Sequence, residues 1–127
     1  MLSGHTDVVP VAGQDWTFPP FAMTCRDGNV YGRGSADMKG FVAAMLSAAQ
    51  QASSQVLRTP LHLALSYDEE IGCLGVRSLI DMLNVSPHRP QMCIVGEPTG
   101  LAVAIGHKGK TAVRVSFTGC AGHSALA

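Results

Sequence analysis

The chain has 127 residues, of which 46% are hydrophobic and 14% are charged, enough apolar material for one packed domain. Nine basic and nine acidic residues cancel to a formal net charge of zero, and no basic run occurs. We therefore do not expect a nucleic acid or an anionic membrane surface as a partner. The apolar stretches are also too short to span a bilayer.

The four cysteines lie far apart and include no C-x-x-C pair. This spacing argues against a thiolate zinc site and against a small secreted disulfide scaffold. We expect reduced and mostly buried thiols in a cytoplasmic protein. The cysteines are Cys25, Cys73, Cys93 and Cys120.

Turn-forming residues dominate positions 11–29, above all in "RDGN", so this stretch is interpreted as loop-rich. An Ala-, Met- and Leu-rich stretch then predicts a helix from about Met38 to Ala52. Residues 61–67 are almost continuously apolar, which predicts a strand with both faces covered. An amphipathic helix is predicted over 72–83, followed by a second buried strand over 91–98.

Residues 110–119 alternate between two faces with a period of two, which predicts a half-exposed antiparallel strand. This change of character places a domain boundary near Gly106–Gly109, with one unit over 1–106 and another over 107–127. The order strand–helix–strand–helix–strand predicts an α/β fold with a mixed sheet flanked by helices. Ligands of such folds bind at the carboxyl ends of the strands.

Several metal-capable side chains follow apolar runs and so fall at these predicted strand ends. Imidazole and carboxylate groups suit zinc, manganese or cobalt, and a carboxylate can bridge two such ions about 3.5–4 Å apart. The pattern therefore predicts a two-metal hydrolytic site. Its candidate residues are His5, Asp7, Asp37, Glu69, Glu70 and Glu97.

Five motifs in order, "GHTDVVP", "GRGSADMKGF", "DEEIGCLG", "GEPTG" and "GHSA", resemble the M20 metallopeptidase family of dinuclear zinc amidohydrolases. Within it, "ADMKGF", "DEEIGCLG" and "GHKGK" are most similar to the acetylornithine deacetylase branch. The resemblance implies an incomplete zinc-exopeptidase-like catalytic domain over 1–106. It also implies that 107–127 begin a smaller α+β lid and dimerisation domain of a homodimer.

The resemblance implies four metal ligands. His5 and Glu97 would hold the first ion, Asp37 would bridge both ions, and Glu70 would bind the second. The ions are expected to be zinc, with cobalt as an alternative. The second site is expected to lack a histidine that typical members supply from a later segment.

Three further residues have catalytic roles by the same resemblance. Glu69 would be the general base that takes a proton from the attacking water and delivers it to the leaving amine. Asp7 would fix the tautomer of His5. His123 would reach the active site of the partner subunit and polarise the scissile carbonyl.

The expected reaction is hydrolysis of an N-acyl amino acid, N-acetylornithine first, in arginine biosynthesis. A succinyl-diaminopimelate desuccinylase or another aminoacylase or dipeptidase is the alternative within the family. A non-catalytic binding module is the alternative of another class. The 127 residues alone are expected to bind metal weakly and to be inactive.

Each site residue also has a purely structural interpretation. Asp37 could cap the N-terminus of the following helix, for which Asp is a favoured residue. Glu69 and Glu70 could be first-turn acids that favour a helix dipole. Glu97, just before a proline, could be an ordinary turn residue.

Overall fold

The computed structural model describes residues 1–123 and residue 125. No helix within this part of the chain is both long enough and apolar enough to cross a membrane. The elements, in chain order, are β1 (Leu2–His5), β2 (Thr24–Arg26), β3 (Asn29–Tyr31), the π-helical turn Ser35–Lys39, α1 (Gly40–Ala52), β4 (Leu63–Ser66), α2 (Val76–Val85) and β5 (Ile94–Val95).

A three-stranded parallel sheet has β1 at its centre, in the order β4–β1–β5. In the β1–β4 pair Leu2 lies opposite Leu63 and His5 opposite Ser66, and in the β1–β5 pair Leu2 lies opposite Ile94. All three strands therefore end at the same edge. The prediction of an α/β fold with a sheet and flanking helices is confirmed, although each predicted strand is shorter than expected.

Helix α1 covers one face of this sheet and forms the small core with it. Met38 and Met45 are each only 1% exposed. Glycine at position 4 allows the close approach, because an added Cβ would lie 3.2 Å from Val42 Cγ2. The ring of Phe41 occupies the space that a Cβ on Gly96 would need. Small residues in the strands thus set the distance between helix and sheet.

Only one residue of β4 is buried, so the prediction that both faces of the 61–67 strand are covered is wrong. Ala64 is 5% exposed, whereas its neighbours Leu63 and Leu65 are 39% and 52% exposed. Helix α2 buries none of its residues. The register places Leu63 and Leu65 on the same face as Leu2 and Gly4, the face that α1 contacts, so α1 leaves this edge strand partly exposed.

The "RDGN" turn is confirmed, but it joins two strands in a stretch that the turn-forming residues predict to be loop. Asp27 and Gly28 have φ values of 51° and 76°, as a type I′ hairpin turn requires. The antiparallel pair β2–β3 places Cys25 opposite Val30. Strands of three residues are too short to show a clear alternation in sequence.

The strand predicted over 110–119 is wrong, since these residues have no regular structure. Val113, Val115 and Phe117, which would form its apolar face, are 79%, 65% and 93% exposed. A half-exposed strand needs a neighbouring strand for its backbone groups, and the described residues pair none with it. The division near Gly106–Gly109 stays a prediction.

The expectation of mostly buried cysteines is also wrong. All four are free, and all four are exposed. Cys25 lies in the small hairpin and Cys93 just before an edge strand, away from the layer between α1 and the sheet. A core this small, on a three-stranded sheet, has little room for further side chains.

We predict that Met45→Ala destabilises the fold by about 2–5 kcal/mol, the usual cost of deleting a buried methionine side chain. Leu46→Ala is the matched control, because Leu46 is the next residue of the same helix and is 50% exposed. The free energies of unfolding are compared by urea titration. Equal losses for both variants would contradict a core centred on Met45.

Candidate metal centre

His5 is the one buried imidazole at the centre of the site, with 2% exposure at the end of β1. Its Nδ1 lies 2.9 Å from the backbone carbonyl oxygen of Asp7. A carbonyl only accepts hydrogen bonds, so Nδ1 donates its hydrogen there. In the neutral ring this leaves the lone pair on Nε2, the arrangement in which histidine binds a metal ion.

Three carboxylates from three segments surround this Nε2 atom. Asp37 Oδ1 lies 3.1 Å away, Glu69 Oε2 3.8 Å and Glu97 Oε1 3.9 Å. Potential ligand atoms of His5, Asp37 and Glu97 lie within 4.8 Å of one another, and those of His5, Glu69 and Glu70 form a second such group. The two groups share His5, while Asp37 and Glu70 fall in different groups.

The fold delivers these side chains from the carboxyl ends of its parallel strands. His5 ends β1, Glu69 and Glu70 follow β4, and Glu97 follows β5. Asp37 comes from the π-helical turn before α1, where its φ of −112° and ψ of 97° depart from helical geometry. Parallel pairing in register therefore gathers residues that are up to 92 positions apart in sequence.

Asp7 links the loop after β1 to the loop after β4. Its Oδ2 accepts a hydrogen bond of 3.1 Å from the backbone N–H of Glu70. Its Oδ1 is buried, lies 3.4 Å from His5 Nδ1 and has no hydrogen-bond partner among the described residues. Burial raises the pKa of Asp7, but the backbone N–H groups of Glu70 and Glu69 and the nearby His5 outweigh it, so the pKa is lowered.

Acidic neighbours contribute to raised pKa values at two residues of the site. Burial lowers the pKa of His5, but the hydrogen bonds and charges of Asp37 and Asp7 outweigh it and the pKa is raised. Burial raises the pKa of Glu97, and the negative charges of Asp37, Glu69 and Glu70 raise it further. A divalent cation would replace this repulsion with attraction.

Lys39 is a supporting residue that was not among the candidates predicted from sequence. Its Nζ donates a hydrogen bond to the backbone carbonyl of Thr6, the residue between His5 and Asp7. The N–H and Oγ1 of Thr6 both donate to the carbonyl of Ser66, at 3.0 and 3.1 Å. The segment from His5 to Asp7 is thus fastened to β4 and to the residue before α1. The one sequence signal for Lys39 is its position in "ADMKG", shortly after the predicted bridging aspartate.

The structural interpretations of Asp37, Glu69 and Glu70 do not fit the geometry, and that of Glu97 accounts for its backbone alone. Helix α1 begins after Lys39 as its N-cap, and Asp37 makes no capping hydrogen bond. Helix α2 has no acidic residue in its first turn, so Glu69 and Glu70 do not serve its dipole. Glu97 does accept a backbone hydrogen bond from Thr99, yet its side chain also faces His5.

His123 lies outside both ligand groups. It is exposed, and its Nδ1 accepts a hydrogen bond of 3.2 Å from the backbone N–H of Ala125. The structure therefore brings together every predicted site residue except His123.

Residues 1–123 match the sequence profile of the peptidase family M20/M25/M40. Acetylornithine deacetylase from Pasteurella multocida (strain Pm70) is 42% identical over 124 residues, which is 98% of this chain and 32% of the relative. Acetylornithine deacetylases from Vibrio atlanticus (strain LGP32) and Vibrio campbellii (strain ATCC BAA-1116) are 41% and 40% identical over the same shares. The chain thus spans about a third of the length of these curated relatives.

We predict that the metal-free protein loses stability as the pH rises from 6 to 8. The pKa of His5 is raised by folding, so its contribution is fully present below its unfolded value of 6.5 and is lost as the pH rises through the folded value. Zinc should stabilise the protein more at pH 8 than at pH 6, because ligands must be deprotonated to bind it.

Chemical denaturation after chelation, at several pH values with and without added zinc, measures this dependence. His5→Gln should flatten the metal-free slope, whereas His88→Gln, in an exposed loop, should leave it unchanged. A wild-type stability that rises between pH 6 and 8 without metal would contradict the assigned surroundings of His5.

Proposed function

Because the chain belongs to the peptidase family M20/M25/M40, we propose that it carries most of the active site of a metal-dependent amidohydrolase. The observation that supports this most is the buried His5 ring, whose Nδ1 donates to the Asp7 carbonyl while Nε2 faces three carboxylates. A histidine with only a structural role does not require three carboxylates around one ring nitrogen. In a metal site, such carboxylates serve as further ligands and as a proton acceptor.

The donor set fits two divalent ions, zinc first and cobalt as the alternative. It offers one imidazole and several carboxylates, and the described residues add no cysteine to the two ligand groups. His5, Asp37 and Glu97 would hold the first ion. Asp37 would bridge to the second, which Glu70 would bind together with a ligand from outside this set. When bound, the ions would polarise the scissile carbonyl and lower the pKa of the attacking water.

Glu69 is the proposed general base. Its Oε2 lies 3.8 Å from His5 Nε2, so the carboxylate borders the place where ligand atoms converge, and 36% of the side chain is exposed. Water and substrate can therefore reach it. Its neighbour Glu70 donates its backbone N–H to Asp7, which ties the pair of acids to the loop that follows His5. Glu69 would take the proton of the water and deliver it to the leaving amine.

The proposed substrate is an N-acyl amino acid, in the first place N-acetylornithine, which would yield ornithine and acetate in arginine biosynthesis. The support is the name shared by the three relatives described above, at 40–42% identity. A succinyl-diaminopimelate desuccinylase or another aminoacylase or dipeptidase of the family is the alternative. The complete protein is proposed to be a cytoplasmic homodimer, with residues 107–127 beginning a lid domain and His123 acting across the subunit interface.

We predict that Glu69→Gln, in a full-length protein that carries this chain, lowers kcat by about 10²–10⁴-fold or more, the usual cost of losing an acid–base group. Its metal content should be unchanged, because the substitution removes the base and none of the proposed ligands. Steady-state kinetics and elemental analysis of the same preparations measure both.

Asp68→Asn is the matched control, one residue away. Asp68 has a φ of 54°, a conformation that asparagine also tolerates, so the variant should keep both rate and metal. A Glu69→Gln protein as active as the wild type would overturn the proposed function. Metal bound with no hydrolysis of any acylated amino acid, even in the wild type, would favour the binding module instead.

We predict that the full-length wild-type protein hydrolyses N-acetylornithine with a kcat/KM at least about tenfold above that for N-succinyl-diaminopimelate, a ratio that a modest difference in pocket fit can supply. Parallel initial-rate measurements with both substrates decide this. The reverse preference would leave the proposed amidohydrolase function in place and change the proposed substrate.

A further inference from the structure

Cys73 is the side chain beside the proposed active site to which the proposed mechanism gives no role. It lies in the loop between β4 and α2, and its Sγ is 3.4 Å from Glu69 Oε1. The other oxygen of the same carboxylate, Oε2, is the one directed toward His5. The two oxygens of Glu69 therefore have different neighbours, a thiol on one side and the ligand groups on the other.

The backbone of this loop places the thiol there by a tight turn. The N–H groups of Gly72 and Cys73 both donate to the carbonyl of Glu69, at 2.9 Å each. The N–H of Leu74 donates to the carbonyl of Asp68 at 3.0 Å. The turn thus folds the chain back over Glu69, and the fourth residue after it arrives beside its carboxylate.

Cys73 adopts a backbone conformation that is unusual for cysteine. Its φ is 55°, in the left-handed region where glycine is the favoured residue and a Cβ is strained. Nothing about the turn itself requires a side chain at this position. Strain of this kind typically persists where a site depends on it.

We propose that Cys73 is a positioning residue for Glu69, whose thiol donates a hydrogen bond to Oε1 and so keeps Oε2 directed at the reacting water. This inference rests on the proposed role of Glu69 as general base. A carboxylate held by one oxygen is oriented without being neutralised. The free oxygen then stays in place for proton transfer, which depends on geometry as well as on basicity.

The chemistry of the thiol suits a donor rather than a nucleophile or a metal ligand. The hydrogen bond and the negative charge of Glu69 raise the pKa of Cys73, with burial adding to them. The thiol therefore keeps its proton, whereas a nucleophile or a metal ligand must be a thiolate. Cys73 is also absent from both groups of ligand atoms around His5.

The test compares three variants at this position in the zinc-loaded, full-length protein with N-acetylornithine. Cys73→Ala and Cys73→Gly remove the donor and should lower kcat about three- to tenfold, the value of one modest hydrogen bond, with KM and metal content unchanged. Cys73→Ser restores a donor and should recover most of the rate. Cys93→Ala, at another exposed cysteine far from Glu69 in sequence, should have no effect.

Cys73→Gly separates positioning from a structural role. Glycine relieves the left-handed strain, so this variant should unfold at the same temperature as the wild type or a higher one while turning over more slowly. A role in folding alone would lower the unfolding temperature and leave kcat unchanged. That result would overturn the proposal, as would a Cys73→Ala protein with wild-type kcat or a Cys73→Ser protein as slow as Cys73→Ala.

A second comparison separates failure of this inference from failure of the proposed function. In a Glu69→Gln background, Cys73→Ala should cost no further rate, because the group it positions is gone. If Glu69→Gln is slow and Cys73→Ala is not, the inference fails and the general base stands. If Glu69→Gln is itself fully active, both fail together.

Discussion

The site is organised around one electrostatic constraint: a buried imidazole nitrogen with three carboxylates within 4 Å of it. Burial raises the pKa of Glu97, and repulsion from the neighbouring acids raises it further. Burial alone would lower the pKa of His5, but the neighbouring carboxylates outweigh it and the pKa is raised. The protein therefore holds in its folded state an arrangement whose electrostatics favour a bound cation.

The packing of a small scaffold offsets the free-energy cost of bringing these acids together. Three parallel strands end at one edge, and α1 holds them together through close contacts at Gly4 and Gly96. The acids themselves are one-third to one-half exposed, so water screens their repulsion, while only His5 is fully enclosed. Burying the neutral ligand and leaving the charged ligands at the rim is the less costly division.

The site residues that lie in recognisable motifs could be predicted from the sequence. The prediction failed where the structure of a segment depends on which other elements pack against it. His5 and Glu97 lie at strand ends and Asp37 lies just before a helix, so their convergence could be expected from these elements and from the motifs that contain them. The strand over 110–119 could not, because alternation shows that a segment can pair but not that a partner is present. Burial of the cysteines failed for the same reason, since burial depends on which elements cover a face.

Contacts made within a turn could not be predicted from the sequence either, and they bear on the different roles proposed for the adjacent acids Glu69 and Glu70. Asp68 and Cys73, with φ values of 54° and 55°, bracket the acidic pair, so the chain enters and leaves it through left-handed residues. Each such residue costs about 1–2 kcal/mol when it is not glycine. Asp is common in this conformation, but cysteine is not. A rule based on local preference would place glycine at 73, and the contact of the Cys73 thiol with Glu69 is the reason we propose for a side chain there.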